Sequence, residues 1–345
     1  MDEKLQKIIV LGIFFLFSFF VFRTSVPELG IVTGARAVDY KIFKDQEAGA
    51  FSSINLSVPR SEGAKRENTE SVDPFKNLDI EAKSAYVFDL KENKVLFEKD
   101  SDVLRPLASI TKLMTALVSE ERIPAGFYVP ISIEAIREEG DDGFRAGDKF
   151  KKEDLLNYML VSSSNDAAYA LAGFVGSSLD GNGSTPARFV MLMNQRAREL
   201  DFLSLSFSNP NGLDIKDGGG DADGAEGSAK DVAGLMEYLF QNHNSMMLAT
   251  GAESIKIVSD KNRVISGVST NKSFSLVPRI LASKTGYTDL AGGNLVFIFD
   301  AGFEHPIVVS ILGSSEEGRF FDAAQIANAV LIYFASEKNG SNVGL

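Results

Sequence analysis

The hydrophobic period of the chain changes twice along its length, and this limits the folds open to it. Residues 84–100, "SAYVFDLKENKVLFEKD", read as two short strands joined at Lys91-Glu92-Asn93-Lys94. From Ser109 the period lengthens. Ile110, Leu113, Met114, Leu117 and Val118 fall at the i, i+3, i+4, i+7, i+8 spacing of an amphipathic helix over 109–119. Further helices are predicted at "KKEDLLNYMLVSS" from Lys152 on, at "DAAYALAGFVG" after Asn165, at "TPARFVMLMNQRAREL" and at residues 228–242. The period then shortens again. "LASKTGY", "GNLVFIFDAG" and "HPIVVSILGS" are strand-like runs punctuated by Gly or Pro, and "RFFDAAQIANAVLIYFAS" closes the domain as a helix. Strands at both ends with helices between them predict an α+β fold. An antiparallel sheet is built from both chain ends and flanked by helices, and the middle of the chain forms an all-helical subdomain.

The chain has 345 residues, 44% of them hydrophobic, which is ample for one or two packed cores. Its net charge is −12 and it has no run of Lys or Arg, so nucleic acid is not an expected partner. The absence of cysteine excludes disulfides, a thiol nucleophile and Cys-ligated metal centres. The two histidines, His243 and His305, have no metal-ligand spacing and read as ordinary surface or loop residues. No G-x-S-x-G elbow occurs, so a serine enzyme built on this chain needs a base other than histidine. The acidic, Gly-rich stretch 214–227 loses calcium-ligand spacing after Asp221-Ala-Asp223 and reads as a solvated loop rather than a metal site.

At the N-terminus, Ile8 to Phe22 is apolar, with Lys4 and Lys7 before it and Arg23 after it. Fifteen residues is short for a spanning helix and suits a signal h-region. No small-residue cleavage site follows at the usual distance. Residues 1–23 are therefore read as an uncleaved signal anchor, with a cleaved signal peptide as the alternative, and the remainder is expected outside the cytoplasm. Residues 24–78, including "SVPRSEGAKRENTESVDP", read as a flexible stalk. The folded domain is expected over 79–337, with a tail at 338–345.

Ser109-Ile-Thr-Lys112 opens the first predicted helix. Positions three apart on a helix lie about 60° apart around its axis, so the two side chains are neighbours. Burial lowers a lysine pKa and leaves a neutral amine able to take a serine proton, and a helix N-terminus offers free N–H groups to a developing oxyanion. The spacing alone is unselective, since Ser269-Thr-Asn-Lys272 matches it too. Order and context separate the two. Ser109-x-x-Lys112 at a helix start is followed by Ser163-Ser164-Asn165 at a helix junction and by Lys284-Thr285-Gly286 on a predicted strand.

With these motifs the chain resembles the low-molecular-mass penicillin-binding proteins of the D-alanyl-D-alanine carboxypeptidase family, over roughly residues 78–335. "AGDKFKKEDLLNYMLVSSSNDAAYALA", "NPNGL", "SAKDVAGLM", "KTGYTDLAGGNLVF" and "GRFFDA" also follow the family's order. The resemblance implies a β-lactamase/transpeptidase-like fold and a serine peptidase acting on peptidoglycan stem peptides, with no cofactor and no metal. It implies β-lactam antibiotics as covalent inhibitors; many relatives use a C-terminal amphipathic anchor, and here the apolar N-terminal helix is expected to serve as the membrane tether instead. By the same resemblance Ser109 is the acylated nucleophile, Lys112 its base and Ser163 a proton relay. Asn165 holds the substrate amide, Lys284 supplies positive potential and Thr285 binds the terminal carboxylate, with Gly286 completing the strand motif. Arg319 assists at the carboxylate, a surface charge being the alternative, and the N–H groups of Ser109 and Tyr287 form the oxyanion hole. The family's usual His-Tyr pair before the Ser-x-Ala-x-Asp stretch is absent. Rival readings are a D,D-endopeptidase of cross-links, a class A-like β-lactamase and a non-catalytic wall scaffold. The only nearby Glu-x-x-x-Asn, Glu153 to Asn157, precedes Ser163 and so lacks the lactamase order.

Overall fold

The computed structural model describes residues 73–180, 186–217 and 220–341. The apolar N-terminal segment and the stalk up to residue 72 lie outside the described residues, as does the end of the tail. Among the described residues no helix is long and apolar enough to cross a membrane.

Two strands begin the domain, β1 (Ser84–Asp89) and β2 (Lys94–Lys99), turning at the expected place. A helical block follows: α1 (Lys112–Arg122), α2 (Lys152–Ser162), α3 (Asn165–Asp180), α4 (Pro186–Glu199), α5 (Ala229–Asn242) and the short α6 (Asn244–Ala249). The chain then forms β3 (Ser254–Val258), β4 (Val264–Val268), β5 (Ile280–Thr288), β6 (Gly292–Asp300) and β7 (Pro306–Ser314), and ends in α7 (Gly318–Ser341).

The main sheet runs β5-β6-β7-β1-β2 with every neighbouring pair antiparallel. The first strand of the domain lies beside the last, in register from Ser84 opposite Leu312 to Asp89 opposite Ile307. The α+β sheet from both chain ends is therefore the observed architecture. Its central strands are covered on both faces, which is why "NLVFIFD" and "PIVVSILG" are continuous apolar runs rather than alternating ones. Leu295, Phe297 and Phe299 pack with Phe320, Ile326 and Val330 of α7, whereas Val296 and Ile298 face the helical block.

Several expectations need correction. The packed domain starts before Asp79: Phe75 is buried, its ring 5.8 Å from that of Phe97. The closing helix continues to Ser341, past the boundary set at residue 337. The α-helix begins at Lys112, because Ala108–Thr111 forms a tighter 3₁₀ turn. That helix is not a striped surface helix. Every residue from Lys112 to Ser119 is buried, since α2, α3, α4 and α5 surround it. Part of the acidic Gly-rich stretch is paired backbone. Ile215–Asp217 pairs with Gly220–Ala222, and Ala225–Gly227 joins a three-stranded sheet with Arg105–Pro106 and Ser206–Phe207. His305 is no ordinary loop residue, because its Nε2 lies 2.7 Å from Oδ2 of the buried Asp89. The β3–β4 hairpin was not anticipated; it pairs from Ser254 opposite Val268 to Val258 opposite Val264.

One buried carboxylate closes the sheet onto α7. Asp322 accepts the N–H groups of Glu81 and Ala82 at 2.9 Å each and the Ser314 hydroxyl at 2.7 Å. Removing it strands three buried or half-buried donors. Asp322→Ala is expected to cost about 3 kcal/mol of unfolding free energy in a denaturant titration, and a loss under about 1 kcal/mol would contradict this role.

Candidate active site

The nucleophile turn is fixed from several directions before any side chain is considered. Leu107 N–H donates to Ala225 O at 2.9 Å, and Asn294 Nδ2 donates to Pro106 O at 2.9 Å. Ala108 adopts φ +49°, a left-handed backbone for a residue with a Cβ, and its carbonyl accepts the Thr111 hydroxyl at 2.7 Å. Gly212 presses on the same carbonyl. A Cβ at that position, where φ is +79°, would sit 1.9 Å from Ala108 O, so only glycine fits the approach of the "NPNGL" segment. Ser109 is thus presented on a rigid, closely covered turn at the head of α1.

Lys112 is wholly buried, and its Nζ lies 2.7 Å from Ser109 Oγ, 2.7 Å from Asn165 Oδ1 and 2.8 Å from Asn211 O. Burial pulls its pKa down from 10.5 to about 7, against the opposing pull of Asp142 and Glu138. A neutral amine there keeps two N–H bonds for Asn165 and Asn211 and can turn its lone pair to the Ser109 hydroxyl. The arrangement is that of a nucleophile with its base.

The other two motifs converge on this pair. Ser163 occupies the left-handed residue between α2 and α3, at φ +63°, and Asn165 is the first residue of α3. Asn165 is held by its Nδ2, which donates to Glu139 O at 2.7 Å. Lys284 is buried on β5, and its Nζ donates to Ser163 Oγ at 2.8 Å and to Thr285 O at 2.7 Å. Burial, then the charges of Lys112 and Arg319, push its pKa well below the usual lysine value. The Ser163 hydroxyl therefore meets Lys284, one step removed from the Ser109–Lys112 pair.

Strand β5 is the edge of the main sheet. Ser283 N–H points away from β6, to Thr250 Oγ1 at 2.9 Å, so the two-residue period places the N–H groups of Thr285 and Tyr287 on that same open edge. Gly286 allows the strand to pass the nucleophile turn. A Cβ at 286 would lie 2.8 Å from Leu107 O and 3.1 Å from Ser109 N. The strand therefore runs against the backbone of Ser109 one residue before Tyr287.

Arg319 is not a surface charge. It is 6% exposed, donates from Nη1 to Gly286 O at 2.7 Å, and lies against the rings of Phe320 and Tyr287. Its Nε has no protein partner, and it makes no ion pair among the described residues. The residues missed in the sequence are mostly those that hold Lys112. Asn211 supplies a carbonyl, which no side-chain motif can signal, although its "NPNGL" context was visible. Glu138 accepts from Asn211 Nδ2 at 2.7 Å and Asp142 from Ser164 Oγ at 2.5 Å, and burial raises both carboxyl pKa values. Asp166 rises to about 7 through burial and these neighbouring acids. The duplicate pair is separated: Lys272 bonds Glu317 at 2.5 Å instead of Ser269, while Thr270 meets the Thr285 hydroxyl. Glu153 lies at the opposite end of α2 from Ser163, about 15 Å away by helical rise, and bonds Gly126 N–H. It is no deacylating base for this site.

Fold and site together define a serine–lysine acyl-transfer centre set between an antiparallel sheet edge and a helical block. The family model described as D-alanyl-D-alanine carboxypeptidase matches residues 67–314, and the chain belongs to that family. It is 30% identical to D-alanyl-D-alanine carboxypeptidase DacF of Bacillus subtilis, over 60% of this chain and 51% of that protein. It is also 30% identical to a D-alanyl-D-alanine endopeptidase of Escherichia coli, over 63% of this chain and 67% of that protein. The chain thus spans about half to two thirds of the length of these curated relatives. Among solved structures, a D-alanyl-D-alanine carboxypeptidase from Mycobacterium tuberculosis superposes with a TM-score of 0.64 at 25% identity, covering 74% of this chain and 92% of that one. The ampicillin-bound penicillin-binding protein D2 of Listeria monocytogenes gives 0.59 at 26% identity, covering 73% and 98%.

The Lys112 titration sets a pH dependence. Below about pH 7 the amine is protonated and cannot accept the Ser109 proton; above it the amine is neutral. The second-order rate of acylation by a penicillin should therefore fall about tenfold per pH unit on the acid side and level off above neutrality. A rate still rising tenfold per unit through pH 9 would contradict a depressed Lys112.

Proposed function

We propose that the protein is a serine-type D-alanyl-D-alanine carboxypeptidase that removes the terminal D-alanine from peptidoglycan stem pentapeptides. The observation that carries this reading is the contact of 2.7 Å between a wholly buried lysine amine and the Ser109 hydroxyl. Ser109 Oγ attacks the carbonyl carbon of the D-Ala-D-Ala bond as its proton passes to Lys112 Nζ. The negative oxygen of the tetrahedral adduct is met by the N–H groups of Ser109 and Tyr287. The C–N bond then breaks, D-alanine leaves carrying the proton that Lys112 took from Ser109, relayed by the Ser163 hydroxyl, and Ser109 is left as an ester with Lys112 neutral again. Water attacks that ester, yielding the shortened peptide and the free hydroxyl.

The Arg319 guanidinium gives the strand end a positive charge, and Thr285 and Lys284 add hydrogen-bond donors, which suits the carboxylate of the departing D-alanine. On this reading Asn165, held by Lys112 and Glu139, is the ligand of the substrate amide. β-Lactams enter the same chemistry as covalent inhibitors, because their strained amide presents a carbonyl and a nearby carboxylate to these groups. The ampicillin-bound relative is consistent with that role. The apolar segment Ile8–Phe22 and the stalk after it support a tether that holds the enzyme at the outer face of a bacterial membrane, within reach of the wall.

The reading is tested by incubating the protein with a pentapeptide stem and with a cross-linked dimer. D-Alanine release from the monomer at a rate well above dimer cleavage is expected, together with labelling by fluorescent penicillin that Ser109→Ala abolishes. Preferential dimer cleavage would make the protein an endopeptidase, and a chain never acylated under any condition would overturn the enzymatic reading.

A further inference from the structure

The stretch Ser269-Thr-Asn-Lys272, a chance match to the nucleophile spacing, returns to the site by another route. It connects β4 to β5, and Thr270 Oγ1 is hydrogen-bonded to Thr285 Oγ1 on the strand motif. Thr285 is buried, whereas Thr270 is exposed on the solvent side of the pair. We propose that Thr270 is a positioning residue for recognition of the substrate's free carboxylate. It donates its hydroxyl proton to Thr285 Oγ1 and so directs the Thr285 proton outward to the carboxylate. The proposal rests on the carboxypeptidase reading and adds to it the group that orients its carboxylate ligand.

Two hydroxyls in contact carry two protons, and only one is used between them. Thr285 alone could turn its proton to any nearby acceptor, the Thr285–Lys284 carbonyls included. With Thr270 donating, Thr285 Oγ1 is left with its own proton free, and a donor that also accepts is a stronger donor. The loop carrying Thr270 is held in place for this task. Ser269 N–H donates to Glu253 O at 2.8 Å, and Asn271 N–H donates to Ser269 Oγ at 3.2 Å. Asn271 Oδ1 accepts from both the N–H and the hydroxyl of Ser273, at 2.9 and 2.6 Å. Lys272 is tied to Glu317, two residues before the buried Arg319, whose Nε has no partner among the described residues. Thr270, Thr285 and Arg319 thus supply oriented donors around one strand end, with Thr270 contributed by a segment outside all three motifs.

The test compares an N-acylated peptide ending in D-Ala-D-Ala with the same peptide capped as its C-terminal amide. For the wild type, kcat/KM should be higher for the free acid. Thr270→Val should lower kcat/KM for the acid by roughly tenfold and leave the amide within about twofold, while Thr270→Ser, which keeps the hydroxyl, should stay within about threefold of wild type on both. Equal losses on acid and amide would mean a merely structural residue, and no loss on either would mean no role; both results overturn the proposal while leaving the carboxypeptidase reading intact. A wild type indifferent to the carboxylate would overturn the carboxylate reading of Thr285, and this proposal with it.

Discussion

The burial of one amine organises this structure. Lys112 sits where water cannot reach it, at the head of a helix that is itself enclosed on all sides. A fall in pKa from 10.5 to about 7 corresponds, at about 1.4 kcal/mol for each pH unit, to roughly 5 kcal/mol of destabilisation of the charged form. The neutral amine escapes that cost and keeps its three contacts, which come from three separate parts of the chain: its two hydrogens go to Asn165 on α3 and the carbonyl of Asn211, and its lone pair to the Ser109 hydroxyl on the turn. Remove the enclosure and the amine becomes an ordinary solvated ammonium beside an inert alcohol. The helical block therefore sets the chemistry of the site as well as its shape.

The sheet supplies what the helices cannot. β5 is an edge strand whose Gly286 lies against the nucleophile turn, and the central strands of the sheet are covered on both faces. An open edge is ordinarily a liability, since it invites pairing with another chain. Here that availability lies beside Ser109, where an extended peptide can align by backbone hydrogen bonds. Joining the first and last strands at β1 and β7 fixes this edge relative to the helical block, and Asp322 locks the junction from the side of α7.

Much of this was legible in the sequence because it depends on local pattern. The switch from strand to helix period and back located both halves of the sheet, and the three motifs lay on a helix start, a helix junction and a strand as their order required. What escaped depends on tertiary contact. The full enclosure of α1 could not be read from its stripe, because Thr115 and Ser119 are polar and yet buried. Asn211 acts through its backbone, so its side chain gave no signal. Arg319 read equally as a surface charge, because burial of a lone arginine is decided by Phe320, Tyr287 and the Gly286 carbonyl, which the fold alone brings together. Thr270 was visible only as an intervening residue of a misleading match.

The central claim is that Lys112 is a neutral amine near physiological pH in the resting protein. It is tested most directly by NMR of the lysine side-chain signals across a pH titration, with Lys112→Arg identifying the resonance. A titration midpoint near 7 is the result the structure predicts. A midpoint near 10, the value of a solvated lysine, would contradict it.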